Sequence, residues 1–389
     1  MALVVWMVVF ACPAQSWLGW RKRGGMKLAW WCAPVVLALI VSGCSQQVAG
    51  KPDSDSKPAG ASPTFGVSVP AGDRQKLDLA EQIRSVDPCG FFDQEKISAG
   101  YGQISTLGPD ARISTCEVGL LQFNRKQVLS QVTIDMASYP PTNDEVNKQI
   151  AGETVTVDGV RNSYGNCAYK VPMRFPAVRA ASGAAVPDIV EVPTVAYATV
   201  SSAGFTPDTL GCQLVEETVT NIVTAFRDNK LPRRDNTQVD VPLTRRSPCE
   251  LMQHLPAGLS VAKLDAEAEP YECRFQLRKP GGSQYLTDMI SVTFLLNSAD
   301  TAMKPSSTFV AAQVGGKPVL IDRDTAVGEP RCSVWFAAGA VVDTYRPGAP
   351  ATASTKNAAR WQPMVSLQAP CRVTDAVTPA ALTLFGANG

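Results

Sequence analysis

The chain has 389 residues, of which 36 are basic and 35 are acidic. This near-neutral balance gives no long-range field that would attract a polyanion, so we expect no nucleic-acid partner. The length is typical of two ordinary domains.

The first 43 residues have the pattern of a bacterial export signal. A basic cluster at residues 21–27 precedes the apolar stretch 28–41, which is short for a membrane span, and two small residues stand directly before Cys44. We predict that residues 1–43 are a signal peptide and that Cys44 is the lipidated (palmitate-bearing) first residue of the mature protein. An uncleaved transmembrane helix, in which Cys44 is incidental, is the alternative.

Residues 1–20 form an additional apolar stretch ahead of the basic cluster. Either residues 1–25 are a mis-called start and Met26 opens the signal, or the chain begins with a further membrane segment; we favour the first. Residues 1–43 contain four basic residues and no acidic ones, so maturation would leave 32 basic and 35 acidic residues, a net charge of −3.

Residues 44–84 are predicted to be the lipidated cysteine and a flexible tether. The part from residue 45 to about residue 73 is rich in Pro, Ser, Ala, Gly and charged residues, and it has too few apolar side chains to form a core.

Eight cysteines follow Cys44 and reveal an internal repeat. The first four match the last four at offsets of 160, 157, 165 and 159 residues, and residues 152–158 match residues 316–322. We therefore predict a first repeat at 85–228, a linker at 229–246 and a second repeat at 247–389. The cysteines are Cys89, Cys116, Cys167, Cys212, Cys249, Cys273, Cys332 and Cys371.

An even number of cysteines in an exported chain predicts disulfides, because the compartment is oxidising. A metal site would need histidines or short cysteine pairs, but His254 is the only histidine and there is no C-x-x-C motif, so no metal site is predicted. Spacing alone leaves three pairings open in each repeat. We favour those that close each half locally: Cys89–Cys116, Cys167–Cys212, Cys249–Cys273 and Cys332–Cys371.

Both repeats show the same order of predicted elements: a short helix after Pro-Cys, several strands, and a last helix. The last helix of the first repeat is predicted at 214–226 from an apolar stripe at helical spacing. The fold class is therefore α+β, with two homologous domains, each an antiparallel sheet with flanking helices. The strands are predicted at 128–136, 154–157, 167–171, 195–200, 289–296, 319–321, 332–336 and 364–367.

Two long loops occupy equivalent places in the repeats, at 172–193 and 339–360. Loops of this length are often functional or disordered, and we favour disorder. The linker contains five basic residues and is predicted to be solvated, although these residues could contact anionic lipid or wall-polymer phosphate.

The lipobox, the polar tether and the Asp-Pro-Cys-Gly-Phe-Phe motif at 87–92 together resemble actinobacterial lipoproteins that are grouped only as a domain of unknown function. The chain is also similar to the extracytoplasmic sensor domain of a mycobacterial serine/threonine kinase, which has two disulfides and a cleft between sheet and helices. The resemblance covers residues 85–228 and again 245–389, where Glu250 replaces the glycine. It implies an envelope binding or sensing module in an unusual tandem form, and it supplies no catalytic residues.

Catalytic groups are few. His254 is the only available imidazole and is expected at the surface or at a helix cap. Two carboxylate pairs, Asp322 with Asp324 and Glu216 with Glu217, could do acid–base work or hold a cation, but we favour strand-end and helix-surface roles. We predict no enzyme activity and no cofactor.

Trp335 lies three residues after Cys332 and is predicted to pack against a disulfide in the core. Trp361 stands at the edge of the second long loop, where an exposed aromatic side chain could anchor a partner. Core packing is the favoured interpretation for both.

These observations predict a lipid-anchored protein on the outer face of the cytoplasmic membrane. Its predicted function is non-catalytic binding or sensing of an envelope lipid, a wall polymer or an envelope protein. A structural accessory subunit of a membrane complex is the second hypothesis, and an extracytoplasmic hydrolase is the third.

Overall fold

The computed structural model describes residues 62–121, 129–142, 145–157, 167–175, 195–205, 208–236, 239–265, 269–278, 288–324, 330–344 and 360–387. These residues belong to one compact unit. The predicted signal peptide, Cys44 and most of both long loops lie outside them.

A small hairpin and a helix precede the first repeat. The hairpin consists of β1 (Ser62–Thr64) and β2 (Val67–Val69), and helix α1 (Ala71–Ser85) follows it directly.

The first repeat forms a seven-stranded antiparallel sheet with the strand order β3-β4-β5-β9-β8-β7-β6. A 3-10 helix (Pro88–Phe91) and α2 (Gln94–Gly100) precede the sheet, and α3 (Asp208–Arg227) follows it. Its strands are β3 (Gln103–Asp110), β4 (Arg112–Leu121), β5 (Leu129–Ser138), β6 (Val146–Ile150), β7 (Glu153–Val157), β8 (Ala168–Arg174) and β9 (Val195–Ala203).

The second repeat forms an antiparallel sheet with the order β10-β11-β12-β17-β15-β14-β13, in which the short β16 pairs with β17. The position of each main strand matches that of its counterpart in the first sheet. A 3-10 helix (Pro248–His254) precedes the sheet and α4 (Cys371–Phe385) follows it. The strands are β10 (Ser260–Asp265), β11 (Glu272–Arg278), β12 (Asp288–Ser298), β13 (Val310–Val314), β14 (Lys317–Asp324), β15 (Arg331–Ala337), β16 (Val342–Asp343) and β17 (Arg360–Pro370). The prediction of two antiparallel sheets with accompanying helices is confirmed.

The hydrophobic periodicity explains how the sheet and the last helix of the first repeat meet. Val132 and Ile134 alternate with more exposed residues along β5, so that both face the core. On α3, Leu214, Val219 and Ile222 form the predicted stripe at helical spacing, and all three are fully buried. Burial of each such side chain contributes about 1.5–3 kcal/mol.

The short helix predicted after each Pro-Cys is a 3-10 helix that begins at the proline, and in the first repeat α2 follows it with the predicted apolar residue Ile97 buried. The Asp87 carboxylate accepts a hydrogen bond from the Cys89 amide at 3.1 Å, and Ser247 caps the second helix in the same way at 3.3 Å. In the second repeat, Glu250 also accepts from the Ser247 amide at 2.8 Å, which completes a capping box. Glu250, which stands where the first repeat has Gly90, therefore has a structural role as part of a helix cap.

Four disulfides join the cysteines in the predicted pairs. One bridge in each repeat attaches the first 3-10 helix to the second strand, and the other attaches the last helix to the sheet. The Cα–Cα distances are 5.2 Å for Cys89–Cys116, 5.0 Å for Cys167–Cys212, 5.2 Å for Cys249–Cys273 and 4.6 Å for Cys332–Cys371.

The prediction of a tether through residue 84 is wrong from Ser62 onward. Val69 is fully buried in the core of the second repeat, whereas Leu79 and Ile83 on α1 are buried in the core of the first. The polar composition of this segment conceals a stripe of apolar residues at helical spacing, which is sufficient to fix α1 between the two cores.

The prediction of a solvated linker at 229–246 is wrong for Arg234, Val241 and Leu243, whereas three other basic residues of the segment are exposed: Lys230, Arg233 and Arg245. Val241 and Leu243 are buried in the core of the second repeat. The side chain of Arg234 is buried and donates hydrogen bonds to the carbonyl oxygens of Arg84 and Ile113 at 3.0 and 3.1 Å. Because its charged group satisfies buried carbonyls, this basic residue belongs to the interior.

Candidate functional site

Helix α3 borders a cleft of about 410 Å³ at the β6 side of the first sheet. Among the residues that the structure describes, Ile150 is the one apolar residue of its lining; the other described side chains carry amine, amide, hydroxyl or carboxylate groups. The lining consists of Lys96, Lys148, Gln149, Ile150, Gln213, Glu216, Glu217, Thr220 and Asn221.

A three-residue network joins two residues of the cleft lining, Lys148 and Glu216, to the buried Tyr169. The Lys148 Nζ atom lies 2.5 Å from Oε1 of Glu216, and the Tyr169 hydroxyl donates to the same oxygen at 2.8 Å. Lys148 also lies over the Tyr169 ring, 5.5 Å from its centroid. Strand β6 therefore supplies the cation, α3 the anion and β8 the buried hydroxyl.

The network keeps its two ions charged. Partial burial raises the pKa of Glu216, but the hydrogen bonds from Lys148 and Tyr169 outweigh burial, so that this pKa lies below its ordinary value. The hydrogen bond to Glu216 raises the pKa of Lys148 above its ordinary value. Burial, followed by the bond to Glu216, raises the pKa of Tyr169, whose hydroxyl remains a donor at neutral pH.

The neighbouring carboxylate, Glu217, has a different partner. Its Oε1 atom accepts a hydrogen bond from the Tyr101 hydroxyl at 2.7 Å. Tyr101 is buried, and desolvation together with this bond raises its pKa above the ordinary range. On the next turn of α3, Asn221 donates to the Phe91 carbonyl oxygen at 3.1 Å, which holds the helix against the 3-10 helix.

These groups suit recognition better than proton transfer. A general acid at neutral pH needs a carboxyl group with a raised pKa, whereas the pKa of Glu216 is lowered. The lining offers hydrogen-bond donors and acceptors with both signs of charge. Its chemistry is that of a site for a polar ligand.

A second, smaller cavity of about 230 Å³ lies beside the end of α3. Val223 and Phe226 contribute to its apolar wall, and the Phe226 ring meets Phe175 edge to face with centroids 5.1 Å apart. Arg174 at its rim pairs with Glu153 at 3.0 Å.

Of the two predicted carboxylate pairs, one lines the cleft. Glu216 and Glu217 both line the cleft. Asp322 is half-buried and Asp324 is exposed on β14, and His254 is exposed at the end of its 3-10 helix. Neither aspartate nor the histidine lines the cleft.

The prediction that Trp335 packs against a disulfide is wrong. Side chains alternate along β15, so that Trp335 faces away from Cys332, and its ring packs against Phe309 with centroids 4.8 Å apart. Trp361 packs partly buried against the core of the second repeat, as predicted.

The eight paired cysteines are occupied by disulfides and carry no ligand chemistry. Among the residues that the structure describes, no group of three or more His, Cys, Asp or Glu side chains could hold a metal ion. Within the same residues, no helix has the length and apolar character required to span a bilayer. The predicted lipidation site, Cys44, lies outside the described residues.

Lys148, Tyr169 and Tyr101 were not singled out from the sequence. Lys148 and Glu216 are 68 positions apart, and Tyr169 and Glu216 are 47 apart, so that only the strand order brings them together. The one local indication is Tyr169, a residue with a polar end inside a predicted core strand.

Comparison of the chain with protein-family models, curated protein sequences and solved structures found no match. The resemblance to envelope lipoproteins therefore stays a prediction.

Proposed function

We propose that the chain is a membrane-anchored extracytoplasmic lipoprotein that acts as a non-catalytic binding module. The pattern before Cys44 supports the anchor, and the four disulfides support an oxidising compartment. The common strand order of the two sheets supports two homologous α+β domains, and the resemblance to actinobacterial lipoproteins and to a kinase sensor domain agrees with this assignment.

The single observation that carries the binding function is the cleft beside α3. Among the three classes of envelope partner, a wall polymer fits its lining best, because such a polymer offers hydroxyl, amide and charged groups to Lys148, Glu216 and the amide side chains. An acyl chain would require an apolar cavity.

The other two hypotheses have less support. A docking subunit needs a broad exposed apolar patch. Among the residues that the structure describes, the exposed large apolar side chains belong to different strands and turns: Leu121, Tyr139, Val146, Val310 and Val341. A hydrolase that used this cleft would need a carboxyl group with a raised pKa there, whereas the pKa of Glu216 is lowered.

The test is calorimetric titration of the full chain, extracted from membranes in mild detergent, with soluble disaccharide–peptide fragments of bacterial cell wall. We expect binding that the double substitution Lys148→Met/Glu216→Gln weakens at least tenfold. The matched control is Arg323→Met, which breaks an exposed pair with Asp375 in the second repeat. Binding that survives the double substitution, or the absence of binding to the wall fragments, would overturn the proposal.

A further inference from the structure

The charges of the cleft are balanced and close together. Two lysines, Lys96 and Lys148, and two glutamates, Glu216 and Glu217, line the same cavity. A polyanion would meet repulsion from the carboxylates and a polycation from the amines, whereas a ligand with one group of each sign finds a partner for both. The charge pattern therefore favours a dipolar ligand.

The central ion pair is accessible to such a ligand. The side chains of Lys148 and Glu216 are 42% and 38% exposed. An exposed pair of this kind adds little to folding stability, so its two ions can exchange partners at little cost. Tyr169, which is buried, also donates to the Glu216 carboxylate and so holds this carboxylate in place when Lys148 turns to a ligand.

The second repeat provides an independent observation, because it has the same strand order without this network. Counted from the matching cysteines and glycines, Tyr169 corresponds to Val334 and Lys148 corresponds to Ala312. Val334 is buried in the core of the second repeat, where it offers no hydroxyl. The fold therefore does not require the network, which belongs to the first repeat alone.

The counterpart of Glu216 is Asp375, four residues after the last cysteine. It pairs with Arg323 at 3.8 Å, and the two side chains are 57% and 54% exposed. This pair on α4 and β14 supplies a control for any effect of removing an exposed ion pair.

We propose that the cleft of the first repeat recognises a zwitterionic unit, a primary ammonium group and a carboxylate on one short peptide, and that the second repeat does not. Glu216 and Glu217 receive the ammonium group. Lys148 and Lys96 receive the carboxylate, and the amide side chains of the lining receive the peptide bond between them. This inference rests on the proposed binding function and names the chemical class of its ligand.

The test uses the dipeptide Nα-acetyl-Lys-D-Ala, which has a free side-chain ammonium group and a free carboxylate. Its Nε-acetyl derivative lacks the cation, and its C-terminal amide lacks the anion. We expect the full chain in detergent to bind the parent dipeptide at least tenfold more tightly than either derivative, as measured by ligand-observed NMR titration.

Substitutions assign the two ends of the ligand. Glu216→Gln should remove the preference for the parent dipeptide over its Nε-acetyl derivative. Lys148→Met should remove the preference for the parent dipeptide over its C-terminal amide. Arg323→Met should leave both preferences unchanged.

Each outcome is decisive. If the wall fragments bind but the three dipeptides bind alike, or if the preferences survive both substitutions, the zwitterion proposal is overturned while the proposed function stands. If neither wall fragments nor dipeptides bind, both proposals are overturned.

Discussion

The guanidinium group of Arg84 donates a hydrogen bond to the carbonyl oxygen of Pro270 at 2.8 Å, although the two residues are 186 positions apart. Arg84 lies on α1, before the first repeat, and Pro270 lies in the second repeat. The buried side chain of Arg234 donates to the carbonyl oxygen of Arg84 in turn. One network of hydrogen bonds therefore joins α1, the connecting segment and both repeats.

Removal of the Arg234 guanidinium should destabilise the whole protein. The substitution Arg234→Met leaves the buried carbonyl oxygens of Arg84 and Ile113 without their donors, which should lower the free energy of unfolding by about 2–4 kcal/mol. Urea denaturation, followed by circular dichroism, measures this loss in the free energy of unfolding. The control Arg245→Gln changes an exposed side chain and should cost less than about 0.5 kcal/mol. Equal effects of the two substitutions would show that the buried network contributes nothing.

Gly90 is expected to tolerate no side chain. A Cβ atom at this position would stand 2.4 Å from the Cβ atom of Pro232, so Gly90→Ala must displace the connecting segment. We expect a loss of about 1–3 kcal/mol in the free energy of unfolding. At Gly100 no atom lies within 4 Å of the added Cβ, so Gly100→Ala should be neutral or slightly stabilising. Thermal denaturation of the two variants side by side checks the difference, and a harmless Gly90→Ala would contradict the close approach.

Each disulfide should contribute about 3–4 kcal/mol by restricting the unfolded chain. The bridges close segments of 27, 45, 24 and 39 residues. The double substitution Cys167→Ser/Cys212→Ser should therefore lower the free energy of unfolding by that amount. The protein is isolated without reductant and unfolded in denaturant, and its thiols are then titrated. None of the eight repeat cysteines should carry a free thiol. Eight reactive thiols would refute the pairing.

The stability should fall as the pH rises from about 4.5 to about 7. Burial, together with the nearby charge of Asp110, raises the pKa of Glu117 to about 7. The folded state therefore holds a proton that the unfolded state loses above its ordinary carboxyl pKa of about 4.5, and ionisation costs stability over this window. Allowing for partial exposure, the change should amount to about 1–2 kcal/mol.

The substitution Glu117→Gln tests this assignment, because a neutral amide cannot ionise. The variant should lose this pH dependence and be more stable than the parent at pH 7.5, as measured by urea denaturation at pH 5 and 7.5. Glu95→Gln, at an exposed position on α2, should leave the dependence intact. A parent protein that gains stability between these pH values would contradict the sign.

The lipid anchor is tested at Cys44. In a bacterium that lipidates exported proteins, Cys44→Ser should abolish incorporation of labelled palmitate and release the protein from the membrane fraction, whereas Cys32→Ser should change neither. Mass spectrometry of the precursor should find no tryptic peptide from residues 1–20 if translation starts at Met26. Palmitate incorporation into the Cys44→Ser variant would rule out the predicted site.

Local patterns predicted much of the fold. The alternation of Val132 and Ile134 and the stripe from Leu214 to Ile222 depend on neighbouring residues, so that the sequence alone displays them. The repeated cysteine spacing supplies long-range information that such patterns lack, and only together with the preference for locally closed halves does it predict the four disulfides.

The wrong predictions of a flexible tether and of a solvated linker share a physical cause. The segment at 62–85 and the buried Arg234 have polar compositions typical of exposed chain, but their stability comes from partners in distant parts of the sequence. The network of Lys148, Tyr169 and Glu216 likewise exists only once strand order has brought three elements together. Composition cannot show such contacts.

The sharing of core residues has a consequence for how this protein can be divided. Val69 and Ile113 lie before or inside the first repeat, yet their side chains fill the interior of the second. A fragment cut at residue 247 would expose that interior to water and lose the residues that seal it. If the halves arose by duplication of a self-sufficient ancestor, the C-terminal copy now depends on residues outside its own repeat, and a cut between the repeats separates it from them.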